Sequence, residues 1–217
     1  MATDSLAFAL TGAAQAVALV QSGTALPRAL TQIFAEYTNQ PNARGAIQDL
    51  AYRTMRQLGR AETLLTLLTE KPVAPAVLHG LLCCALALLV EPEQNGRRPY
   101  EDFTVVDQAV TACAAGPLTA RAKGMVNAVL RRFLRERTTL LLKTDAIPLA
   151  QWNYPSWWID SMRAAWPRDW KQILETGNQP APLTLRVNRR RTSVADYLQQ
   201  LASLGIAATQ IGSDAVR

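Results

Sequence analysis

Arg121-Ala-Lys-Gly-Met-Val-Asn-Ala-Val-Leu-Arg-Arg-Phe-Leu-Arg135 reads as one amphipathic helix with two unlike faces. Met125, Val126, Val129, Leu130 and Phe133 recur three and four residues apart, which predicts a stripe turned toward a core. Lys123, Asn127, Arg131 and Arg135 recur every four residues and form a second row on a different face. Gly124 and Ala128 lie beside that row with almost no side-chain bulk, so a phosphate backbone could come close. A mid-helix glycine costs about 1 kcal/mol relative to alanine. Gly124 is therefore read as structural, marking space that a ligand or a closely packed helix needs. Asn127 is read as structural too: asparagine is a poor helix former, and its side chain is expected to bond to the backbone of an adjacent helix or loop. The plainer alternative is a solvated amphipathic helix whose late arginines favour the negative helix end.

The charge around this segment is concentrated. Of the 23 basic residues only four are lysines, at 71, 123, 143 and 171, so 19 are arginines, whose planar fork suits phosphates and base edges. Between Thr119 and Arg137 stand Arg121, Lys123, Arg131, Arg132, Arg135 and Arg137 against Glu136 alone. A second cluster, Arg186, Arg189, Arg190 and Arg191, has no acid between Leu183 and Val194. Together the clusters exceed the net charge of +6, which leaves the remainder slightly acidic. Localised positive charge points to a polyanion.

Working outward, residues 3–140 predict helix after helix. Ala7, Leu10, Ala14, Val17 and Ala18 form a stripe that Gly23 stops. A second helix starts near Leu26-Pro27, carries Leu30, Ile33, Phe34 and Tyr37, and ends before Asn39-Gln40-Pro41. A third runs from about Ala43 past Leu58, with Gly59 bending or breaking it. Pro75 opens a buried helix, Ala76–Val90, and Glu91–Tyr100 is a loop. Thr104-Val-Val-Asp107 resembles a capping box, opening a helix that stops at Gly116-Pro117.

Composition shifts after residue 145. All five tryptophans, at 152, 157, 158, 166 and 170, fall within nineteen residues. Trp157, Trp158 and Trp166 are expected to pack short helices together, with base stacking as the alternative. Leu183, Leu185 and Val187 alternate with Thr184, Arg186 and Asn188, the pattern of a half-buried strand. Arg186 and Asn188 point away from its apolar face, where RNA could lie. Ser193 caps a helix through Leu204, and Ile206–Ile211 reads as a returning strand. The expected fold is mainly α: an all-helical bundle over 1–145, then a small α+β subdomain over 146–217 built on an incomplete β-α-β unit.

The length of 217 residues with 49% hydrophobic and 18% charged residues describes a globular chain, neither disordered nor a membrane bundle. A span needs roughly 20 apolar residues; the run Ala76–Val90 is shorter and reads as a core helix, so no membrane partner is expected. Cys83, Cys84 and Cys113 sit in apolar helical contexts without a CxxC spacing, and a reducing cytoplasm fits them best. The single histidine, His79, lies among leucines and reads as a satisfied core residue. Asp49, Glu62 and Asp107 look like ordinary solvated or capping acids. No catalytic or metal-ligating set is visible.

Ala122-Lys-Gly-Met-Val-Asn-Ala-Val-Leu-Arg-Arg132 resembles the signature helix of NusB-like RNA-binding domains. In particular it is similar to those fused to bacterial 16S rRNA cytosine-5 methyltransferases, the ribosomal RNA small subunit methyltransferase B (Sun/Fmu) family. Ala13-Ala-Gln-Ala-Val17, Gln48-Asp-Leu50 leading to Arg53, Val106-Asp-Gln-Ala-Val110, Tyr154-Pro-Ser-Trp157 and Leu185-Arg-Val-Asn188 agree in order and spacing. The resemblance implies a NusB-like domain, an RNA-binding N1 subdomain and then a Rossmann-like catalytic domain. It also implies 16S rRNA, not DNA, as partner. Candidate RNA contacts are Arg121, Lys123, Arg131, Arg132, Arg135, Arg186, Asn188, Arg189, Arg190 and Arg191.

The sequence departs from that family in one respect. The glycine-rich loop for S-adenosylmethionine and the two catalytic cysteines, one in a Pro-Cys context, are missing. Gly12, Gly23, Gly45 and Gly59 are singletons, and the cysteines read as small core hydrophobes. The expectation is an RNA-binding portion that holds no cofactor itself, is inactive alone, and partners a methyltransferase domain outside this chain. A free-standing antitermination module and a helical protein-interaction adaptor are the alternatives. The Trp-rich segment and the Leu183–Ile211 unit weigh against the first, the localised arginines against the second.

Overall fold

A computed structural model describes residues 5–36, 41–91 and 98–217. Ser5 opens α1 (Leu6–Gln21) by accepting a hydrogen bond from the Phe8 amide at 3.2 Å, and Gly23, at φ +100°, ends it as expected. The buried residues of α1 are mostly alanines, so its neighbours approach closely. The helices that pack on it are α2 (Leu26–Glu36), α3 (Pro41–Arg56), α5 (Ala76–Val90) and α6 (Asp102–Ala115). In α5, a Cβ on Gly80 would collide with the Ala14 carbonyl, so glycine here is a condition of the α1–α5 contact. Most of α5 is buried, from Leu78 through Leu89 apart from His79, which explains its lack of a polar face. Tyr37 and the stop at Asn39-Gln40 lie outside the described residues, as do positions 92–97 of the expected loop.

Two helix boundaries differ from expectation. The break after α3 falls at Gln57 (φ −119°), and Gly59 sits inside α4 (Leu58–Leu68). Gly59 has another role: α8 (Pro148–Trp152) crosses it so closely that a Cβ would strike the Leu149 carbonyl. Arg60 completes the joint, its amide donating to Asn153 Oδ1 at 2.9 Å and its Nε to the Ala150 carbonyl at 3.2 Å. The second difference is at α6, which starts at Asp102 and not at Thr104. Asp102 meets Arg98 and Arg137 at 2.8 Å each, which anchors an acid in the first turn, where the helix dipole favours it.

After α6 come α7 (Lys123–Asp145), α8, α9 (Ser156–Ala165) and α10 (Trp170–Gly177). The chain divides into two compact units, 1–178 and 179–217, so residues 146–178 pack with the helical unit. The helical bundle is followed in the chain by a small open sheet.

In the second unit β1 (Leu185–Arg186), β2 (Gln210–Ile211) and β3 (Ala215–Val216) stand in the order β1-β3-β2, both pairings antiparallel. The helix α11 (Val194–Ser203), capped by Ser193 with the Asp196 amide donating at 3.0 Å, thus connects β1 to a parallel strand with β3 between them. The ladder is shorter than the alternation suggests. Val187 is buried with Val194 and Val216, but Leu183 and Leu185 on the same expected face are exposed. Two-residue strands and one helix do not cover a longer apolar face.

Candidate nucleic-acid interface

The turn into α7 is fastened at both ends. Cys113 Sγ donates to the Thr119 carbonyl at 3.0 Å, and Thr119 Oγ1 donates to the Cys113 carbonyl at 2.7 Å. From there Val126, Val129, Leu130 and Phe133 enter the core, with Met125 half-buried against it. Arg121, Lys123, Arg131, Arg132 and Arg135 are exposed. Gly124 is the second residue of α7, in its first turn and not mid-helix, and a Cβ there would meet nothing within 4 Å. No close-packed helix claims that space among the described residues.

The basic residues separate into two kinds. Arg132 turns toward the bundle, pairing with Glu136 at 3.0 Å and donating to the Leu68 carbonyl at 3.3 Å. Arg137 is structural: it pairs with Asp102 and lies over the Phe133 ring at 5.5 Å. Partial burial alone would raise the Asp102 pKa, but the hydrogen bond and charge of Arg137, with Arg98, hold its carboxyl below the usual range. Arg121, Lys123 and Arg135 have no acidic partner within the salt-bridge distance among the described residues. Asn127 does not reach a neighbouring backbone as expected; its Oδ1 accepts from Arg131 Nε at 3.0 Å, a contact along the row itself.

Beside the row, α6 and α7 flank an open groove of about 630 Å³. Sequence reasoning missed one lining residue, Phe103, which is 73% exposed. Its only sequence signal is an aromatic in the first turn of a helix, where the core period does not require one.

In the second unit, Arg189 is engaged by Asp214 at 2.7 Å, an acid from beyond the segment that the sequence cluster considered. Asn188 builds a turn, its Oδ1 accepting from the Arg190 amide at 3.1 Å. Arg186, Arg190 and Arg191 are exposed and lack an ion-pair partner among the described residues.

The tryptophans divide against expectation. Trp152 is buried and packs on Trp170 with centroids 5.1 Å apart. Trp157 and Trp166 are more than half exposed, and Trp158 lies edge-on to Trp157 at 5.5 Å. A ten-residue α9 has one buried face, which Ile159 occupies, so adjacent Trp157 and Trp158 cannot both turn inward.

His79 is half-buried against Gln21, its Nδ1 3.1 Å from Gln21 Nε2. The three cysteines are buried free thiols, and burial pushes Cys84 up to about 12 and Cys83 further, far from a thiolate nucleophile. Among the described residues no three His, Cys, Asp or Glu could hold a metal, and no helix is long and apolar enough to cross a membrane. Nor do these residues fit S-adenosylmethionine. The glycine that follows a strand, Gly212 (φ +61°), stands singly and turns β2 into β3.

The NusB family model matches residues 9–135, from α1 into the basic helix α7. The chain belongs to the NusB family. The NusB-family region is followed by a match over 154–217 to the "Methyltr_RsmF/B-like, ferredoxin-like domain". Two curated relatives are named ribosomal RNA small subunit methyltransferase B. That of Pseudomonas putida is 35% identical over 204 residues, covering 91% of this chain and 44% of the relative. That of Pasteurella multocida is 35% identical over 167 residues, covering 75% and 34%. The chain thus spans under half the length of these relatives, and the match is to part of each. Among solved structures, the crystal structure of PH0851 shares the fold, with a TM-score of 0.61, 11% identity, and coverage of 96% of this chain and 47% of that one.

Proposed function

We propose that this chain binds 16S ribosomal RNA and presents it to an S-adenosylmethionine-dependent cytosine-5 methyltransferase domain outside these residues. The observation that carries the proposal is the exposed row Lys123, Arg131 and Arg135, with Arg121, on the basic helix of a NusB-family bundle. Guanidinium and ammonium groups without acidic partners remain available to phosphates, whereas Arg132 and Arg137 are engaged. Arg186, Arg190 and Arg191 supply the second set of contacts. Arg189 and Asn188 hold the turn that displays them. The relatives' name supports rRNA as the polyanion, and the ferredoxin-like match supports a methyltransferase setting over a free-standing antitermination module.

By sequence family the helical RNA-binding domain is assigned to 1–145 and the second RNA-binding subdomain to 146–217, although the helices of 146–178 pack with the first compact unit. The two family matches, ending at 135 and starting at 154, support a boundary between them. The protein acts in the cytoplasm, and this portion alone neither holds the cofactor nor transfers a methyl group.

An equilibrium titration tests the proposal. At one salt concentration the chain should bind a 16S rRNA fragment more tightly than a DNA duplex of equal length. Arg131→Ala with Arg135→Ala should weaken RNA binding without shifting the melting temperature. Equal affinity for RNA and DNA, or no binding to either, would defeat it.

A further inference from the structure

The groove between α6 and α7 lies beside the basic row, yet its chemistry is not that of a phosphate site. Its walls are Val106, Val110 and Leu134, and the exposed ring of Phe103 stands at its mouth. Glu101 and Asp107 line it as well, and their charge repels phosphate from the groove itself. Asp102, the third carboxylate there, is already neutralised by Arg98 and Arg137. At the α7 lip the Asn127–Arg131 bond, made through Nε, holds the guanidinium, and neither Nη group has a hydrogen-bond partner among the described residues.

We infer that this groove takes one unpaired nucleobase of the RNA whose phosphates follow the Lys123–Arg131–Arg135 row. The inference rests on the RNA-binding reading above and names what that helix holds besides phosphate. A base is flat, neutral and apolar on its faces, which suits the Phe103 ring and the valine wall. Its edge carries, in cytosine, adenine and guanine, an exocyclic amino group for a carboxylate such as Asp107, while Arg131 at the lip stays with the phosphate. The charge arrangement is complementary to a nucleotide strand laid across α7: cations outside for the backbone, an apolar slot with carboxylates inside for the base. A volume of about 630 Å³, open to solvent, admits a nucleotide without rearranging either helix.

The test uses the whole chain with a twelve-nucleotide oligocytidylate, and with an abasic phosphodiester of the same length. Phe103→Ala should keep the wild-type melting temperature, because the ring contributes little to the core. It should weaken oligocytidylate binding about 5- to 150-fold, the range for loss of one base–aromatic stack. Abasic binding and the salt dependence should stay as in wild type, because no ionic contact is removed. Wild-type protein that binds both oligomers, with Phe103→Ala unchanged on each, overturns the groove assignment alone. Wild-type protein that binds neither overturns the RNA reading itself. If the chain self-associates and Phe103→Ala makes it monomeric with unaltered RNA affinity, the groove is an interface between copies and the inference fails.

Discussion

Asn127→Ala separates a residue that supports the fold from one that supports the interface. A buried asparagine bonded to a neighbouring backbone would cost about 1–2 kcal/mol on removal. Here the side chain is half-buried and its partner is exposed Arg131, four residues on along the same helix. Polar pairs at that spacing contribute about 0.2–0.5 kcal/mol. Alanine, in turn, is a better helix residue than asparagine by up to about 0.7 kcal/mol. The two effects oppose each other, so the net change should stay within about 0.5 kcal/mol of zero. For a chain of this size that is a melting shift of no more than about 2 °C. RNA affinity should nevertheless fall severalfold, because Arg131 loses the acceptor that orients it and must be ordered on binding. Thermal unfolding and an RNA titration on the same variant decide the matter. A drop of 4 °C or more would mean that Asn127 braces a neighbouring element, and unchanged RNA affinity would mean that Arg131 needs no orientation.

Three further outcomes follow from the packing. Gly124→Ala faces open space in the first turn of α7 and should stabilise the protein by up to about 1 kcal/mol, read as a higher melting temperature; lower RNA affinity in the same variant would mean that the strand passes close to that position. Gly59→Ala should destabilise by about 1–3 kcal/mol in a denaturant titration, since the new methyl meets the Leu149 carbonyl of α8 and backbone cannot move aside cheaply. The Asp102 carboxyl is held low in the folded state by Arg137 and Arg98, so its contribution is present in full above the unfolded value of about 3.9 and is lost as pH falls through the lower folded value. The stability gap between wild type and Asp102→Asn should therefore be open at neutral pH and close in acid; a gap independent of pH would contradict the clasp.

The helices were legible where period and punctuation agreed. Pro75 and Glu91 bracket α5, and Gly23 and Gly116-Pro117 stop α1 and α6, because proline fixes its φ and removes an amide donor while glycine alone turns freely into the left-handed region, as Gly23 does. Long-range pairing was not legible. The Thr104 signature gave way to Asp102 because Arg137, thirty-five residues away, selects the helix start. Gly59 resembled a breaker until α8 was laid against it, since a single glycine looks the same whether it bends a chain or admits a neighbour. In the site, the spacing of Lys123, Arg131 and Arg135 fixed which cations share a face. Which arginines are engaged depended on Asp102, Asp214 and the Leu68 carbonyl, all remote in sequence. The exposed Trp157 and Trp166 show the same limit: clustering says that aromatics are near one another, but not which of them the core has room for.

The salt dependence of RNA binding decides whether the row on α7 touches phosphate. Each phosphate contact on single-stranded RNA adds about 0.7 to the slope of log K against log salt. If Arg131 and Arg135 both touch phosphate, Arg131→Ala with Arg135→Ala should make the slope shallower by about 1.4 relative to wild type. Melting should be unaffected, since both residues are exposed. An unaltered slope in a variant that still folds would mean that the row on α7 only solvates the surface, and the assignment of this helix to RNA would be wrong.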